Sequence, residues 1–456
     1  MSVNTVSLKE SKAARWTALV VVAFTMFAGY YLADVMAPLK GLLENQLSWN
    51  SVEYGFFTSA YGWFNVFLFF LIIGGIILDR MGVRFTGLGA ALIMVLGTGI
   101  KYWAITTSSL DGTELFGWKS QVVVAAIGYA IFGVGVEVAG ITVSKVIVKW
   151  FKGKELALAM GLQVSIARLG TALALSSSLP IALKFNDVSA PILICLILLC
   201  IGFIAYFIYT FMDKKLDASI IASGSSEPSE EFRMKDILLI VKNKGWWYIA
   251  LLCVLFYSAV FPFLKYATDL MINKFGVNAE WAGVIPSLLP FGTILLTPVF
   301  GSIYDRKGKG ATIMMIGAGL ITVVHLLFSV PLFNNWMFAI TLILLLGIGF
   351  SLVPSAMWPS IPKIIPDNQL GTAFALIFWV QNWGLMGVPL LIGWVLEKYC
   401  ITGTEMINGT TSTTYDYTIP MLIFTTFGIL AIILAFLLKI EDRKKGYGLE
   451  LPNIKR

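Results

Sequence analysis

Two ionisable residues stand inside stretches that otherwise read as hydrocarbon. Glu137 lies in GYAIFGVGVEVAGITV and Arg168 in SIARLGTALALS. A charge held in such surroundings costs roughly 2.5 to 3.5 kcal/mol even on lenient insertion scales, so its retention calls for a partner. A carboxylate can hold an ammonium group, and a guanidinium can grip a carboxylate through two parallel hydrogen bonds. Together they suit a zwitterion. The alternative is an internal Glu137–Arg168 ion pair that ties helices together, and such a pair could also close an empty site that a ligand then opens.

Covalent chemistry finds few parts. His325 is the only histidine and sits within the apolar run 311–330, where a satisfied interior imidazole is the ordinary role. Cys195, Cys200, Cys253 and Cys400 lack metal-ligand spacing, and the first three fall in apolar runs where a thiol behaves as a small hydrophobe. No catalytic residue, metal or cofactor is expected. A membrane-embedded enzyme would need a nucleophile with a base, or a metal cluster, at one depth; a receptor would bind ligand without flux.

The elements that must position Glu137 and Arg168 follow from composition. Of 456 residues, 58% are hydrophobic and 13% charged, about half the charge that a soluble surface carries. This excludes an aqueous enzyme, an extended nucleic-acid binder and a disordered scaffold, and it makes the lipid bilayer the chain's main partner. About 20 apolar residues cross the hydrocarbon as a helix. Twelve stretches qualify: 16–38, 52–78, 84–106, 121–148, 155–182, 189–212, 246–272, 280–303, 310–331, 336–361, 370–396 and 418–440. The expected fold is an all-α membrane protein. The first stretch is too long, and lacks the cleavage pattern, for a removable signal peptide.

Lys and Arg gather in alternate loops, which places both termini in the cytoplasm and explains the net charge of +7 as an insertion signal. Between Asp213 and Lys244 the composition turns polar, too polar to enter lipid. The expected organisation is a terminus at 1–15, a six-helix bundle at 16–212, a linker at 213–245, a second bundle at 246–440 and a tail at 441–456. Within the bundles, Glu137 and Arg168 fall at matching depth on the fourth and fifth helices, antiparallel neighbours.

The halves share a motif: GIILDRMGVR (Gly75 to Arg84) follows the second span and GSIYDRKGKG (Gly301 to Gly310) the eighth. Gly75 and Gly301 are expected to allow close helix approach. Asp79 and Asp305 are expected to accept hydrogen bonds across the boundary between halves, in contacts that break and reform, with Arg80, Gly82, Arg84, Arg306 and Gly308 completing a gating set. A solvated tight turn is the alternative.

The GxxxDRxGxR loop, degraded in its second copy by Lys309 and Gly310, resembles the signature of the major facilitator superfamily, and with six plus six spans the similarity covers nearly the whole chain. WFKGKELALAMGLQVSIARLG (Trp150 to Gly170), FYSAVFPF (Phe256 to Phe263), DNQLGTAFALIFWVQNWGL (Asp367 to Leu385) and, more loosely, YGWFNV (Tyr61 to Val66) resemble a dipeptide-carrying branch of that superfamily. That branch works in lysosomes, with a glycosylated accessory subunit in animals. The resemblance implies a two-bundle secondary transporter that moves dipeptides by alternating access, as a uniporter, with Glu137 at the peptide's amino end and Arg168 at its carboxylate; a functional monomer is expected. An accessory subunit is implied only for a eukaryotic chain. A proton-coupled carrier of an organic anion or sugar, anchored by Arg168 with Glu137 as proton carrier, is the other reading within transport.

Tyr31, Trp63, Asn65, Tyr257, Trp358, Gln381 and Asn382 supply rings and amides of the kind that line small-molecule sites, and Lys265 is a further candidate. Lys101, Asp34, Lys184, Lys265 and Asp269 lie nearer the outer helix ends, where snorkelling explains long side chains, and Lys265 and Asp269 can pair at i, i+4. Pro354, Pro359, Pro362 and Pro366 are expected to break or bend the tenth helix and make Trp358 an inner gate. Gly133 and Gly135 either let helices approach Glu137 closely or merely fill space. A bacterial-type inner or plasma membrane is expected, a lysosomal one the alternative; Asn408-Gly409-Thr410 fits a glycosylation acceptor.

Overall fold

A computed structural model describes residues 8–151, 156–222, 234–332, 334–366, 369–407 and 410–452; Asn408 and Gly409 of the glycosylation triplet lie outside them. Among the described residues eleven helices are long and apolar enough to cross a membrane, and a bent pair, taken as one span, makes twelve. They are α1 (Lys12–Asp34), α2 (Ser51–Phe67 with Phe70–Leu78), α3 (Arg80–Thr106), α4 (Ser120–Phe151), α5 (Leu156–Phe185) and α6 (Ala190–Ala222). Then follow α7 (Lys244–Phe275), α8 (Val284–Lys307), α9 (Gly310–Ser329), α10 (Trp336–Ile364), α11 (Leu370–Tyr399) and α12 (Thr418–Lys445).

Polar residues between the apolar runs set the helix starts. Asn50 accepts from the backbone N–H of Glu53 at 2.8 Å while the Glu53 carboxylate accepts from the N–H of Asn50 at 2.9 Å, a reciprocal cap that opens α2. Asn243 caps α7 by accepting from the N–H groups of Gly245 and Trp246. At the far end of α7, Gly276 takes the left-handed conformation and bonds back to Ile272.

The prolines of the tenth helix do not break it before its end. α10 runs unbroken through Pro354, Pro359 and Pro362 and stops at Ile364, where the residue before Pro366 is extended. The break falls in α2 instead, read as one span. Its two pieces meet at 56°, with Phe69 at φ 56, a left-handed conformation that costs a non-glycine residue about 1 to 2 kcal/mol. Tertiary contact supports it: the Phe69 ring stacks on Trp379 of α11 at 5.7 Å, and the Trp379 indole donates to the Val66 carbonyl at 3.2 Å. A side chain of another helix satisfying a carbonyl is a recognised cause of a kink.

The repeated motif is also reread. Gly82 and Gly308 have φ of 77 and 70 and make the turns. A Cβ at Gly75 or Gly301 would meet open space, so neither marks a close helix approach in this conformation. The motif charges whose partners are described pair within their own half. Arg84 reaches Asp217 at 2.6 Å and Asp213 at 3.4 Å, and Lys149 reaches the same two acids, all on the first six helices. In the second copy the N–H groups of Lys309 and Gly310 donate to the carbonyls of Glu450 and Leu449, and the Glu450 carboxylate accepts from Thr312. Arg80 and Arg306 are exposed and Asp305 is half-buried; the side chain of Asp79 lies outside the description.

Helices of the first six meet the last six along two seams, α2 against α11 and α5 against α8. The start of the chain bonds to the end of α6 through Leu8 and Ser219, and the tail to the start of α7 through Tyr447 and Asn243. Both termini therefore lie at one end of the helices. The opposite end is the outer end.

Candidate functional site

Glu137 lies near the middle of α4, half-buried. Its Oε1 accepts from the Tyr61 hydroxyl of α2 at 2.7 Å. Glycine makes the approach possible: a Cβ at Gly133 would come within 2.2 Å of the Tyr61 carbonyl oxygen. A turn beyond Tyr61, the fully buried Asn65 donates to the Gly133 carbonyl at 3.3 Å, while its own carbonyl oxygen has no partner.

Arg168 lies near the middle of α5, with rings rather than acids around it. Its guanidinium carbon is 5.6 Å from the centroid of Tyr30 on α1, 5.1 Å from Phe261 on α7 and 5.5 Å from Phe350 on α10. A planar cation over ring faces gains roughly 0.5 to 2 kcal/mol and keeps its donors available in the ring plane's surroundings. The alternative, an internal Glu137–Arg168 ion pair, is not made in this conformation: one bonds to Tyr61, the other faces rings. Tyr30 stands within electrostatic reach of both charges.

The last six helices add an aromatic wall. Tyr257 stacks on Phe261 at 5.2 Å and accepts a hydrogen bond from the Trp358 indole at 3.3 Å. Trp358 in turn lies over Phe378 of α11 at 5.1 Å. Tyr257 also feels the charge of Arg168. Of the residues singled out in the sequence, Glu137, Arg168, Tyr257 and Trp358 thus gather about one level, with Asn65 bordering it.

The others go elsewhere. Tyr31 bonds to Ser177 at 2.6 Å on the helix face turned from Tyr30. Trp63 donates to Ser59 and packs edge-on against Phe56, which stacks on Trp118. Gln381 accepts from the Cys253 thiol within the last six helices, and the buried Asn382 donates back to Phe378. The sequence reading passed over Tyr30, Tyr61, Phe261 and Phe350. Tyr61 was legible as the first residue of YGWFNV, and Phe261 within FYSAVFPF; Tyr30 and Phe350 carry no local signal.

Lys265 belongs to the outer end, and snorkelling does not describe it. Its ammonium is 2.6 Å from Asp34 of α1 and also donates to the Ala33 carbonyl. Lys40, just past α1, is 2.6 Å from Glu44 and 3.2 Å from Asp269 of α7. Tyr417 donates to Asp269, Tyr415 to Glu44 and Tyr54 to the Lys265 carbonyl. The expected Lys265–Asp269 pair along α7 is therefore replaced by two pairs that join the halves. Lys101 is fully buried, and only Lys184 of the five outer charges is exposed.

His325 is an interior imidazole, Nε2 2.9 Å from the Ala259 carbonyl oxygen and the ring packed against Phe263 and Phe424. The four cysteines are free.

Against this geometry the comparisons can be set. The family model described as Major Facilitator Superfamily matches residues 19–389. The chain is 26% identical to the human lysosomal dipeptide transporter MFSD1 over 405 residues, covering 85% of this chain and 81% of that protein. The Danio rerio protein of the same description is 27% identical, covering 83% and 80%. A hexuronate transporter of Bacillus subtilis (strain 168) is 22% identical, covering 85% and 89%. Among solved structures, a D-xylose–proton symporter superposes with a TM-score of 0.68 at 14% identity over 92% of this chain and 97% of its own. An inward-facing, unoccupied bacterial homologue of the human lysosomal transporter Spinster gives 0.68 at 12%, over 95% and 98%. At such identities these two speak for the fold. With its apolar spans, the chain is a multi-pass integral membrane protein.

Proposed function

The chain belongs to the major facilitator superfamily of transporters, and from that premise we propose that it carries dipeptides across its membrane by alternating access. The ammonium of the peptide binds Glu137, whose position is held by Tyr61. The carboxylate binds Arg168. The observation that carries this reading is that two opposite charges face one level from different helices and bond to a phenol and to rings instead of to each other. A zwitterion with its charges at both ends supplies what each lacks. Its side chains would meet Tyr257, Phe261, Phe350 and Trp358, which come from the last six helices, so a bound peptide touches both halves. The ligand's two charges balance those of the site, which favours transport without a coupled ion. Similarity to lysosomal dipeptide transporters supports the substrate class.

The outer end is closed by ion pairs between the halves, whereas at the end bearing the termini Arg84, Lys149 and Glu450 pair within their own half. Rocking about the central level would exchange the closed end for the open one.

Uptake of labelled dipeptides by proteoliposomes tests the reading, with thermal stabilisation by a dipeptide panel as the binding arm. Stabilisation is expected in the unmodified protein and is lost in Glu137→Gln and Arg168→Ala. An unchanged response in both variants removes these residues from the site. The hexuronate-transporting relative favours one further reading, a proton-coupled carrier of an organic anion or sugar held by Arg168. That reading wins if dipeptides are ignored while a monocarboxylate or sugar binds and is taken up.

A further inference from the structure

Lys101 takes part neither in the chamber nor in the pairs that close the outer end. It lies on α3 shortly before Thr106, fully buried, and its ammonium has no hydrogen-bond partner among the described residues. Two rings face it, Tyr129 at 5.2 Å and Phe57 at 5.9 Å. Rings return only a fraction of what burying an unpaired ammonium costs. A lysine retained at such a place calls for a functional reading with a named partner.

Where α1 and the segment after it meet α7, Asp34, Glu44 and Asp269 pair with Lys40 and Lys265, and Lys101 lies behind them among rings of the first six helices; Glu397 of α11 accepts separately from the N–H of Ser51. Lys119 and Glu53 form a separate pair within the first six helices. Among the described residues Lys40 holds Glu44 and Asp269, Lys265 holds Asp34, and the Lys101 ammonium has no hydrogen-bond partner. A second pairing is open to the same six, entirely within the halves. Lys265 and Asp269 stand at i, i+4 on α7, and Lys40 and Glu44 already pair inside the first half. Asp34 and Lys101 remain, both on the first six helices. Tyr129 alone marks the way between them. Its ring is the one nearest the Lys101 ammonium, and its hydroxyl donates at 2.7 Å to the carbonyl of Ala33, the neighbour of Asp34. Lys265 bonds to that same carbonyl.

We propose that Lys101 is a positioning residue that takes over Asp34 from Lys265 when the outer end opens. As α7 withdraws, Lys265 turns to Asp269 and Lys101 passes Tyr129 to reach Asp34, so that opening strands no buried carboxylate. The inference rests on the alternating-access reading above. Without Lys101, opening leaves Asp34 uncompensated in apolar surroundings, and the outer end stays shut.

The test uses full-length protein in proteoliposomes, its four cysteines replaced by alanine, with spin labels on Lys184→Cys and Trp281→Cys. These positions border one cleft of about 360 Å³ at the outer end, on α5 and beside α8. Dipolar broadening reports the closed end and its loss the open end; alanyl-alanine is the added ligand. The parent is expected to show two populations whose ratio alanyl-alanine shifts. Lys101→Met should cut the open fraction about tenfold, Lys101→Arg should keep it within about threefold, and adding Asp34→Asn to the Met variant should restore it. The exchanged variant Asp34→Lys/Lys101→Asp should open beyond Asp34→Lys alone, because only the exchanged variant gives the introduced lysine a partner when the end is open; an equal open fraction in the two overturns the exchange, and this comparison carries the test if the Met variant does not fold. Two populations indifferent to Lys101, or a Met variant that Asp34→Asn fails to restore, overturn the exchange alone. One unchanging distance in the parent, with and without alanyl-alanine, overturns the alternating reading and the exchange with it.

Discussion

At the outer end, Lys265 meets Asp34 and Lys40 meets Asp269, each pair tying a helix of the first six to α7. Halfway down the same bundle, Glu137 and Arg168 are opposite in charge and similar in depth, yet each is given a neighbour that cannot neutralise it. Glu137 has a phenol and Arg168 has three rings. The physical consequence differs accordingly. A buried pair in contact fixes a conformation, because removing either member leaves the other uncompensated. A phenol or a ring face steadies a charge while leaving its main interaction unspent, and a ligand of the right polarity can then collect it. Charge in the first region holds the halves together; charge in the second waits between them.

The largest effect expected from breaking this contrast is at the outer end. Lys265→Ala leaves Asp34 buried beside α1 without its ammonium, and the loss of one member of such a pair costs about 3 kcal/mol. The thermal midpoint of the purified protein should fall by several degrees, while binding of a dipeptide, whose charges Lys265 does not touch, keeps its affinity within about threefold. Isothermal titration beside a melting curve checks both. A collapse of affinity with no change in the midpoint would move Lys265 back into the binding site.

Arg168→Ala should show the mirror image. No ion pair is lost, so the midpoint stays within about two degrees, but the carboxylate loses a charge-assisted double hydrogen bond. Losing such a bond is worth about 3 kcal/mol, or roughly 100-fold in uptake. Arg168→Lys should recover little, because a point charge does not reproduce the planar fork. Next in size is Glu137→Gln. The amide oxygen still accepts from Tyr61, but the charge is gone, and uptake should fall about tenfold. N-acetylation of the peptide removes the ammonium, so an acetylated dipeptide should bind the variant and the parent alike, which competition for uptake measures.

The contrast also explains what was legible in the sequence. Single charges inside apolar runs announce themselves, so Glu137 and Arg168 could be found from spacing alone. The spans followed from composition, and the motif marked the two turns that Gly82 and Gly308 make. What could not be read was which charges touch. Lys265 and Asp269 sit four apart and invite a local pair, but tertiary contact offers each a partner from the other half, and that contact wins. Tyr31 was favoured over Tyr30 with no sequence signal to choose; one residue of helix rotation decides which phenol faces Arg168. The break in α2 is silent for a similar reason, since its support is Trp379, more than 300 positions along the chain.

The smallest effect concerns the phenol that keeps Glu137 in waiting. Tyr61→Phe removes one hydrogen bond to a carboxylate without altering the ring's contact with Tyr129. The Glu137 carboxylate is then freer to turn, and in the empty protein it can approach Arg168. Such a self-made pair has to be opened by each incoming ligand, so affinity should drop by about threefold to tenfold, in keeping with one charged hydrogen bond. The second substitution decides the cause. In Glu137→Gln/Tyr61→Phe there is no charge left to collapse onto Arg168, so the added phenylalanine should cost almost nothing. Equal losses in both backgrounds would mean that Tyr61 touches the ligand itself, and the mid-membrane charges would then be kept apart by something other than this phenol.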